Sequence, residues 1–293
     1  MRWLLCAAAL AFAPNAFAAD YTPPPFAADY TQPPPVTIGP ATFTRWAGFY
    51  FGGQVGYSSS EINFSNAASS EISYLLRGYP AILQDQQISH WPVLGSHSTA
   101  SPSYGGFIGY NVQWEDVILG VELNYNRVSL PASSSGTVSR SFIDSTNLPT
   151  GHHYYYDPVT VSAQSSIQLT DIATFRARAG WELGSFLPYG FAGFAVGRAN
   201  TSATATASLS AYDIPDFETP PLVPLPNQML PPTSQSSSQS GAFAYGAATG
   251  LGMDVALTSN LFVRGEFEYV FFPQVNNIQV SLWSARVGAG VKF

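Results

Sequence analysis

The sequence predicts an all-β fold: an eight-stranded antiparallel transmembrane β-barrel with short periplasmic turns and three long extracellular loops. Three observations predict it. Apolar residues recur with period 2 in segments bounded by turn residues. The connections between those segments alternate short and long, the pattern of barrels that cross an outer membrane. Charged residues make up only 10% of the 293 residues, while aromatics are plentiful, with 16 Tyr, 20 Phe and 6 Trp.

The first strand is expected over 46–57, with Phe49, Phe51, Gly53, Val55 and Tyr57 on one face. The second covers 104–114, with Ile108, Tyr110, Val112 and Trp114 aligned, and Glu115-Asp116 turns it into the third. That third strand, 117–126, alternates Val117, Leu119, Val121, Leu123 and Tyr125 with Gly120, Glu122, Asn124 and Asn126. In the fourth, 167–181, Phe175, Ala177, Ala179 and Trp181 oppose Thr174, Arg176, Arg178 and Gly180. A turn at Gly184 leads into the fifth, 187–197. The sixth, 242–257, sets Leu251, Met253, Val255 and Leu257 against Gly250, Gly252 and Asp254. Thr258-Ser259-Asn260 turns it into the seventh, where Val263, Gly265, Phe267 and Tyr269 oppose Arg264, Glu266 and Glu268. The closing stretch, 284–293, places Ala285, Val287, Ala289, Val291 and Phe293 opposite Arg286 and Lys292.

Strands one–two, three–four and five–six are separated by connections of roughly 40 residues each, well beyond the usual loop of a compact domain. They are rich in Ser, Thr, Asn and Pro. A seven–eight connection around Pro273, Asn276 and Asn277 falls at the same end and is shorter. The polar alternation of "ANTSATATASLSA" (199–211) suggests that the fifth strand continues past the bilayer.

In such a barrel the apolar face meets lipid and the small or charged face meets the lumen. Glu122, Arg176, Arg178, Asp254, Arg264, Glu266, Glu268, Arg286 and Lys292 all fall on the inward face. On the lipid face near the midplane, each Arg or Lys would cost about 2–4 kcal/mol. An inward charge set reads either as a selectivity filter or as an interlocked plug. The plug is favoured, because eight strands enclose a lumen that side chains just fill. Trp46, Trp114, Trp181 and Phe293 lie at strand ends on the short-turn side and suit an interfacial aromatic girdle.

The chain begins with a predicted secretory signal, 1–18: Arg2, an apolar run, then Ala16-Phe17-Ala18 as a small-x-small cleavage site. The apolar run is about eleven residues, too short to span a bilayer as a helix. Cys6 lies inside it. Residues 19–45 repeat Ala-Asp-Tyr-Thr before proline runs and read as an extended periplasmic tether reaching roughly 80 Å. Residues 46–293 form the barrel domain.

The segments "WAGFYFGGQVGYS" (46–58), "GGFIGYNVQW" (105–114), "ILGVELNY" (118–125), "TFRARAGW" (174–181), "GLGMDVALTSNLFVRGEFEY" (250–269) and "ARVGAGVKF" (285–293) occur in a fairly specific order. This pattern resembles the small OmpA-like eight-stranded outer-membrane barrels, in particular the surface-antigen and "porin family" barrels common in alphaproteobacteria. The resemblance implies an outer-membrane location, a structural role in the envelope and surface exposure. It implies that Phe293 is the signal read by the barrel-assembly machinery, and that a mature start at Ala19-Asp20 is a candidate for covalent attachment to peptidoglycan. Some relatives bind haem or host surfaces, which leaves a narrow porin or a haem-binding barrel as the alternative function.

No enzyme is expected. His90, His97, His152 and His153 all lie in the long connections, and none shares a strand face with a serine and a carboxylate. "GHHYYYDP" (151–158) is the one unusual loop cluster. Its His152 and His153 are the residues that would hold haem or a metal, although an ordered loop tip is the commoner use of such a group. No resident cofactor is expected. The net charge of −7 and the single lysine, Lys292, exclude a nucleic-acid partner. The expected partners are outer-membrane lipid, the assembly machinery and peptidoglycan, with the chain itself a monomer.

Overall fold

The computed structural model describes residues 45–144, 152–215, 223–224 and 229–293. The predicted signal 1–18, with Cys6, and the predicted tether apart from Arg45 lie outside the described residues. In chain order the strands are β1 Gly48–Asn63, β2 Ser96–Trp114, β3 Val117–Asp144, β4 His152–Trp181, β5 Phe186–Pro215, a two-residue β6 Val223–Pro224, β7 Leu230–Ala256, β8 Leu261–Val275 and β9 Ile278–Lys292.

Eight of these close into a ring, β1-β2-β3-β4-β5-β7-β8-β9, with β9 returning to β1. Every pairing is antiparallel. The seam runs from Tyr50↔Lys292 to Asn63↔Gln279, and the Phe293 N–H donates to the Phe49 carbonyl at 2.9 Å. Closure leaves no free backbone edge within the ring, which is what lets strands cross a medium that cannot hydrogen-bond.

At the short-turn end the wall is apolar outside. Phe49, Phe51, Val55, Ile108, Val112, Leu119, Leu123, Phe175, Leu251, Phe267 and Val287 are all exposed. Trp114 and Trp181 are exposed as the predicted girdle requires, and Phe293 stacks on Phe51 with ring centroids 5.9 Å apart. Trp46 corrects that expectation, being only 2% exposed. Its backbone N–H donates to Gln113 Oε1 and its indole donates to the Gly184 carbonyl, so the ring turns into the barrel mouth rather than outward.

The strands are unequal. β1, β2, β8 and β9 have 16, 19, 15 and 15 residues, whereas β3, β4, β5 and β7 have 28, 30, 30 and 27. A span needs only about 9–11 residues. The three–four and five–six connections expected as loops are therefore mostly strand, and the suggested continuation through 199–211 is part of β5. Their serines and threonines pair across strands instead of breaking them. Thr137 bonds Ser162 at 2.8 Å, Ser139 bonds Thr160 at 2.8 Å, Ser166 bonds Ser202 at 2.8 Å, and Thr206 bonds Ser234 at 2.8 Å.

Along these four strands the polarity of the wall inverts. Above the belt the outer face is hydroxylated, and the inner face is apolar, carrying Leu130, Val159, Val161, Ile167, Leu169, Ala205, Ala207 and Leu209. This inner face is packed by the β1–β2 connection, which forms α1 Ser69–Leu75, α2 Pro80–Asp85 and a 3-10 turn Ile88–His90. Ile72, Leu76, Ile82 and Ile88 join the same apolar cluster. In β4 the buried positions are odd-numbered from Val159 to Leu169 and even-numbered from Ile172, and a register shift lies between Leu169 and Asp171. A second parity change in β7 coincides with Gly241, whose φ of 67° lies in the left-handed region that glycine tolerates.

The two wall regions predict opposite responses to one substitution. Leu251→Arg, on the apolar belt, should destabilise the protein folded in lipid bilayers by about 2–4 kcal/mol in urea titrations. Ser162→Arg, on the hydroxylated extension, should stay within about 0.5 kcal/mol of the parent.

Candidate functional site

The lumen inside the apolar belt carries the chemistry. Five strands supply its charges, and three pairs sit directly opposite in register: Glu122↔Arg176, Asp254↔Arg264 and Glu266↔Arg286. Alternation aims each inward, because the residues flanking it are the apolar ones of the outer face. Other ion pairs cross the lumen between strands that are not neighbours. Arg176 Nη2 lies 2.6 Å from Glu266 Oε2, Arg264 Nη1 lies 2.8 Å from Glu122 Oε2, and Arg178 Nη2 lies 2.7 Å from Asp254 Oδ2. Arg176 Nη1 also reaches Glu268 Oε1 at 3.2 Å, and between the neighbouring β8 and β9 Arg286 Nη1 bonds Glu268 Oε2 at 2.7 Å.

The result is one network of four guanidiniums and four carboxylates, neutral overall. Arg176 is 1% exposed and Glu122 is 1% exposed. Two phenols complete it: Tyr50 donates to Glu122 Oε2 at 2.7 Å, and Tyr189 donates to Glu266 Oε2 at 3.0 Å. The guanidiniums also lie over rings, Arg264 at 4.0 Å from the Phe107 centroid and Arg178 at 3.8 Å from that of Tyr189.

Of the nine predicted lumen charges the structure joins eight. Lys292 lies on the predicted face but outside the network, where its Nζ donates to the Arg45 carbonyl at 2.7 Å and sits 4.3 Å from the Trp46 ring centroid. It belongs to the barrel mouth.

Layers above and below the network fill the remaining section. Toward the short turns, Tyr50, Phe107, Ile118, Leu187, Tyr189, Phe191 and Phe262 form a buried cluster with Trp46. These rings fit because glycines face them: a Cβ on Gly252 would fall 2.4 Å from Tyr189 Cζ, and one on Gly250 would fall 2.4 Å from Phe191 Cζ. Away from the short turns, Gln54 Nε2 donates to Asn124 Oδ1 at 2.9 Å and to Asn126 Oδ1 at 2.7 Å. Beyond the amides lies the apolar cluster that includes Ile172, Val270, Phe272 and Leu282.

Sequence reasoning missed Tyr50, Gln54 and Tyr189 as lumen residues. The signal was present in "GFYFGGQ", where Tyr50 and Gln54 occupy the face opposite Phe49, Phe51 and Val55. Ala19 and Asp20 lie outside the described residues. His152 and His153 open β4, and their side chains lie outside the described residues. His90 is in the 3-10 turn with Nδ1 3.1 Å from Ser89 Oγ, and His97 is at the start of β2.

Removing one partner from such a network leaves a buried charge uncompensated. Glu122→Gln, nearly isosteric but uncharged, should destabilise the folded barrel by about 3–5 kcal/mol in urea titrations. Lys292→Gln, outside the network, should cost less than about 1 kcal/mol.

No curated protein sequence matches the chain significantly. Among solved structures it is similar to the attachment invasion locus protein Ail of Yersinia pestis, with 14% identity, a TM-score of 0.33, and coverage of 84% of this chain and 99% of that one. It is similar to Neisserial surface protein A, with 14% identity, a TM-score of 0.35 and coverage of 84% and 98%. The N-terminal β-barrel domain of Pseudomonas aeruginosa OprF is similar at 14% identity, with a TM-score of 0.30 and coverage of 82% and 97%. Residues 4–293 match the outer membrane protein beta-barrel domain. With that match over nearly its whole length, a ring of eight antiparallel strands, an apolar outer belt and a charged lumen, the chain belongs to the outer membrane protein β-barrel family.

Proposed function

We propose that the protein is a structural barrel of the outer membrane that contributes to envelope integrity and displays the β3–β4 and β5–β7 extensions at the cell surface. In this reading the short turns and the N-terminal segment are periplasmic. The observation that carries it is the filled lumen. A neutral network with buried members on β3, β4, β7, β8 and β9, closed on one side by aromatic rings and on the other by amides and apolar side chains, is built to stay shut. The charges favour a plug because they saturate one another across the lumen, leaving no excess of one sign to select ions. Long strands that rise past the belt supply the surface to be displayed.

The mature start Ala19-Asp20 and the proline-rich residues behind it support a further reading as a covalent link to peptidoglycan. Roughly 27 residues of extended chain can reach across a gap of several tens of ångströms.

Two measurements test these readings. In planar bilayers the purified barrel should show only rare, small openings, whereas a steady large conductance would establish the narrow-porin alternative. Mass spectrometry of muropeptides from purified peptidoglycan should find an attached peptide beginning Ala19-Asp20; recovery of free processed N-termini alone would sink the covalent link.

A further inference from the structure

Where the ring gives way to the four-stranded extension, a cleft of about 350 Å³ opens between α1, the upper strands and the β8–β9 turn. That volume lies at the lower end of the range for small-ligand sites. Its floor is made by Ser165 of β4 and by Thr201 and Ala203 of β5, all buried. Its rim carries Ser70 on α1, Ser237 and Gln239 on β7 and Asn276 in the turn, all exposed. Hydrogen bonds hold these walls together. Asn276 Nδ2 donates to Thr201 Oγ1 at 2.6 Å and to Gln239 Oε1 at 2.9 Å, and Asn277 Nδ2 donates to Ser69 Oγ at 3.1 Å. The two asparagines have φ of 49° and 64°, the left-handed conformation of a tight hairpin turn. The strand ends that carry the β5–β7 connection stand well above the cleft. Leu209↔Leu230 is roughly 20 Å farther along β5 than Ala203, at about 3.3 Å per residue.

One wall of the cleft is charged. Glu71 of α1 is only 7% exposed, and among the described residues that line the cleft it is the one acidic or basic side chain. Ser237 Oγ donates to its Oε1 from β7, while Oε2 is buried with no partner among the described residues. A buried carboxylate in this condition costs free energy until a donor reaches it, and a cationic donor compensates it best. The polar groups around it are hydroxyls and side-chain amides, which both donate and accept. Such a lining suits a ligand with several hydroxyls, and the carboxylate adds a requirement for positive charge. A metal ion is the poorer fit, because no second carboxylate or imidazole is among the described lining residues.

We propose that this cleft is a binding site for a small hydroxylated primary amine, of the amino-sugar or amino-alcohol class. The ammonium group bonds the Glu71 carboxylate, whose two oxygens exchange by rotation about the terminal side-chain bond. The ligand hydroxyls bond the rim groups of Ser70, Ser237, Gln239 and Asn276. Thr201 and Ser165 hold the floor rather than the ligand, since the first accepts from Asn276 and the second donates to the Ser202 carbonyl at 3.0 Å. The site goes beyond the structural role proposed above. Its occupancy depends neither on which end of the barrel faces outward nor on whether the lumen conducts.

Ligand-observed NMR titration of the purified full chain in detergent micelles tests this, with folding of each variant verified by heat-dependent gel migration. Glucosamine should bind saturably. N-acetylglucosamine, which keeps the ring hydroxyls and loses the charge, should bind about tenfold more weakly or less. Putrescine, charged but without hydroxyls, should also bind more weakly. Ethanolamine separates the two sources: affinity equal to that of glucosamine supports an amino alcohol, and lower affinity supports an amino sugar. Glu71→Gln keeps an acceptor for Ser237 and removes the charge, and should lower glucosamine affinity about tenfold or more. Ser237→Lys, at an exposed position that already bonds Glu71, supplies an ammonium from the chain itself and should abolish binding. Absence of saturable glucosamine binding would overturn the site, as would binding that survives both substitutions. N-acetylglucosamine binding as tightly as glucosamine would overturn recognition of the ammonium, and putrescine doing so would overturn recognition of the hydroxyls.

Discussion

Four guanidiniums and four carboxylates shut inside an apolar belt have to neutralise one another, and the arrangement of the barrel wall answers to that requirement. An isolated charge in such a place costs several kcal/mol, whereas a paired and hydrogen-bonded one is tolerated. The pairs Glu122–Arg264, Arg176–Glu266 and Arg178–Asp254 connect strands that are not adjacent in the ring. They are therefore ties across the lumen as well as ladders along it. A shift of any one strand by a residue would turn its charge into the lipid and leave its partners buried and alone. Such a network contributes less to net stability than to selecting one register from the many that a period-2 sequence allows.

The packing around the network follows from its size. Small inward residues, above all glycine, make room for the rings of Tyr189 and Phe191, which a Cβ at Gly252 or Gly250 would displace. The belt outside is left to whatever is apolar and bulky. Inside and outside are thus coupled through the pleat: each strand offers one face to lipid and the other to salt bridges, and neither face can be altered independently of register.

Past the belt the environment reverses and the sequence reverses with it. Water outside favours Ser and Thr, and the apolar face turns inward to cover α1, α2 and the 3-10 turn. The reversal takes little chain. β4 accomplishes it with a register shift near Thr170 and β7 with one at Gly241, each changing which parity of residue faces inward. This extension is a four-stranded sheet, so unlike the ring it has two lateral edges. One is approached by residues 93–95, while the other, on β7, extends past β8 and is met by Glu71 and Asn276.

Much of this was legible from alternation alone. Arg176, Arg178, Asp254, Arg264, Glu266 and Arg286 lie on the small-residue face of well-bounded strands, and period 2 suffices to send them inward. Lys292 obeys the same rule but stands one layer away from the anions, and the height of a residue in the barrel is not encoded by its parity. Trp46 was misread because a tryptophan at a strand end fits a girdle or a plug equally well. The decision came from Gln113 and Gly184, residues distant in sequence that offer it hydrogen bonds inside. The alternation of 199–211 announced the extension of β5, whereas those of β3, β4 and β7 were hidden by their composition. Serine and threonine signal a loop locally, and only a neighbouring strand with hydroxyls in register turns them into a ladder. The sequence by itself determined the strand count, the inward charges and the belt, because lipid and lumen impose a strict two-residue period on local chain. Only the tertiary structure decided which charges pair, where the parity changes and what meets the β7 edge, because those depend on the stagger between strands far apart in the chain.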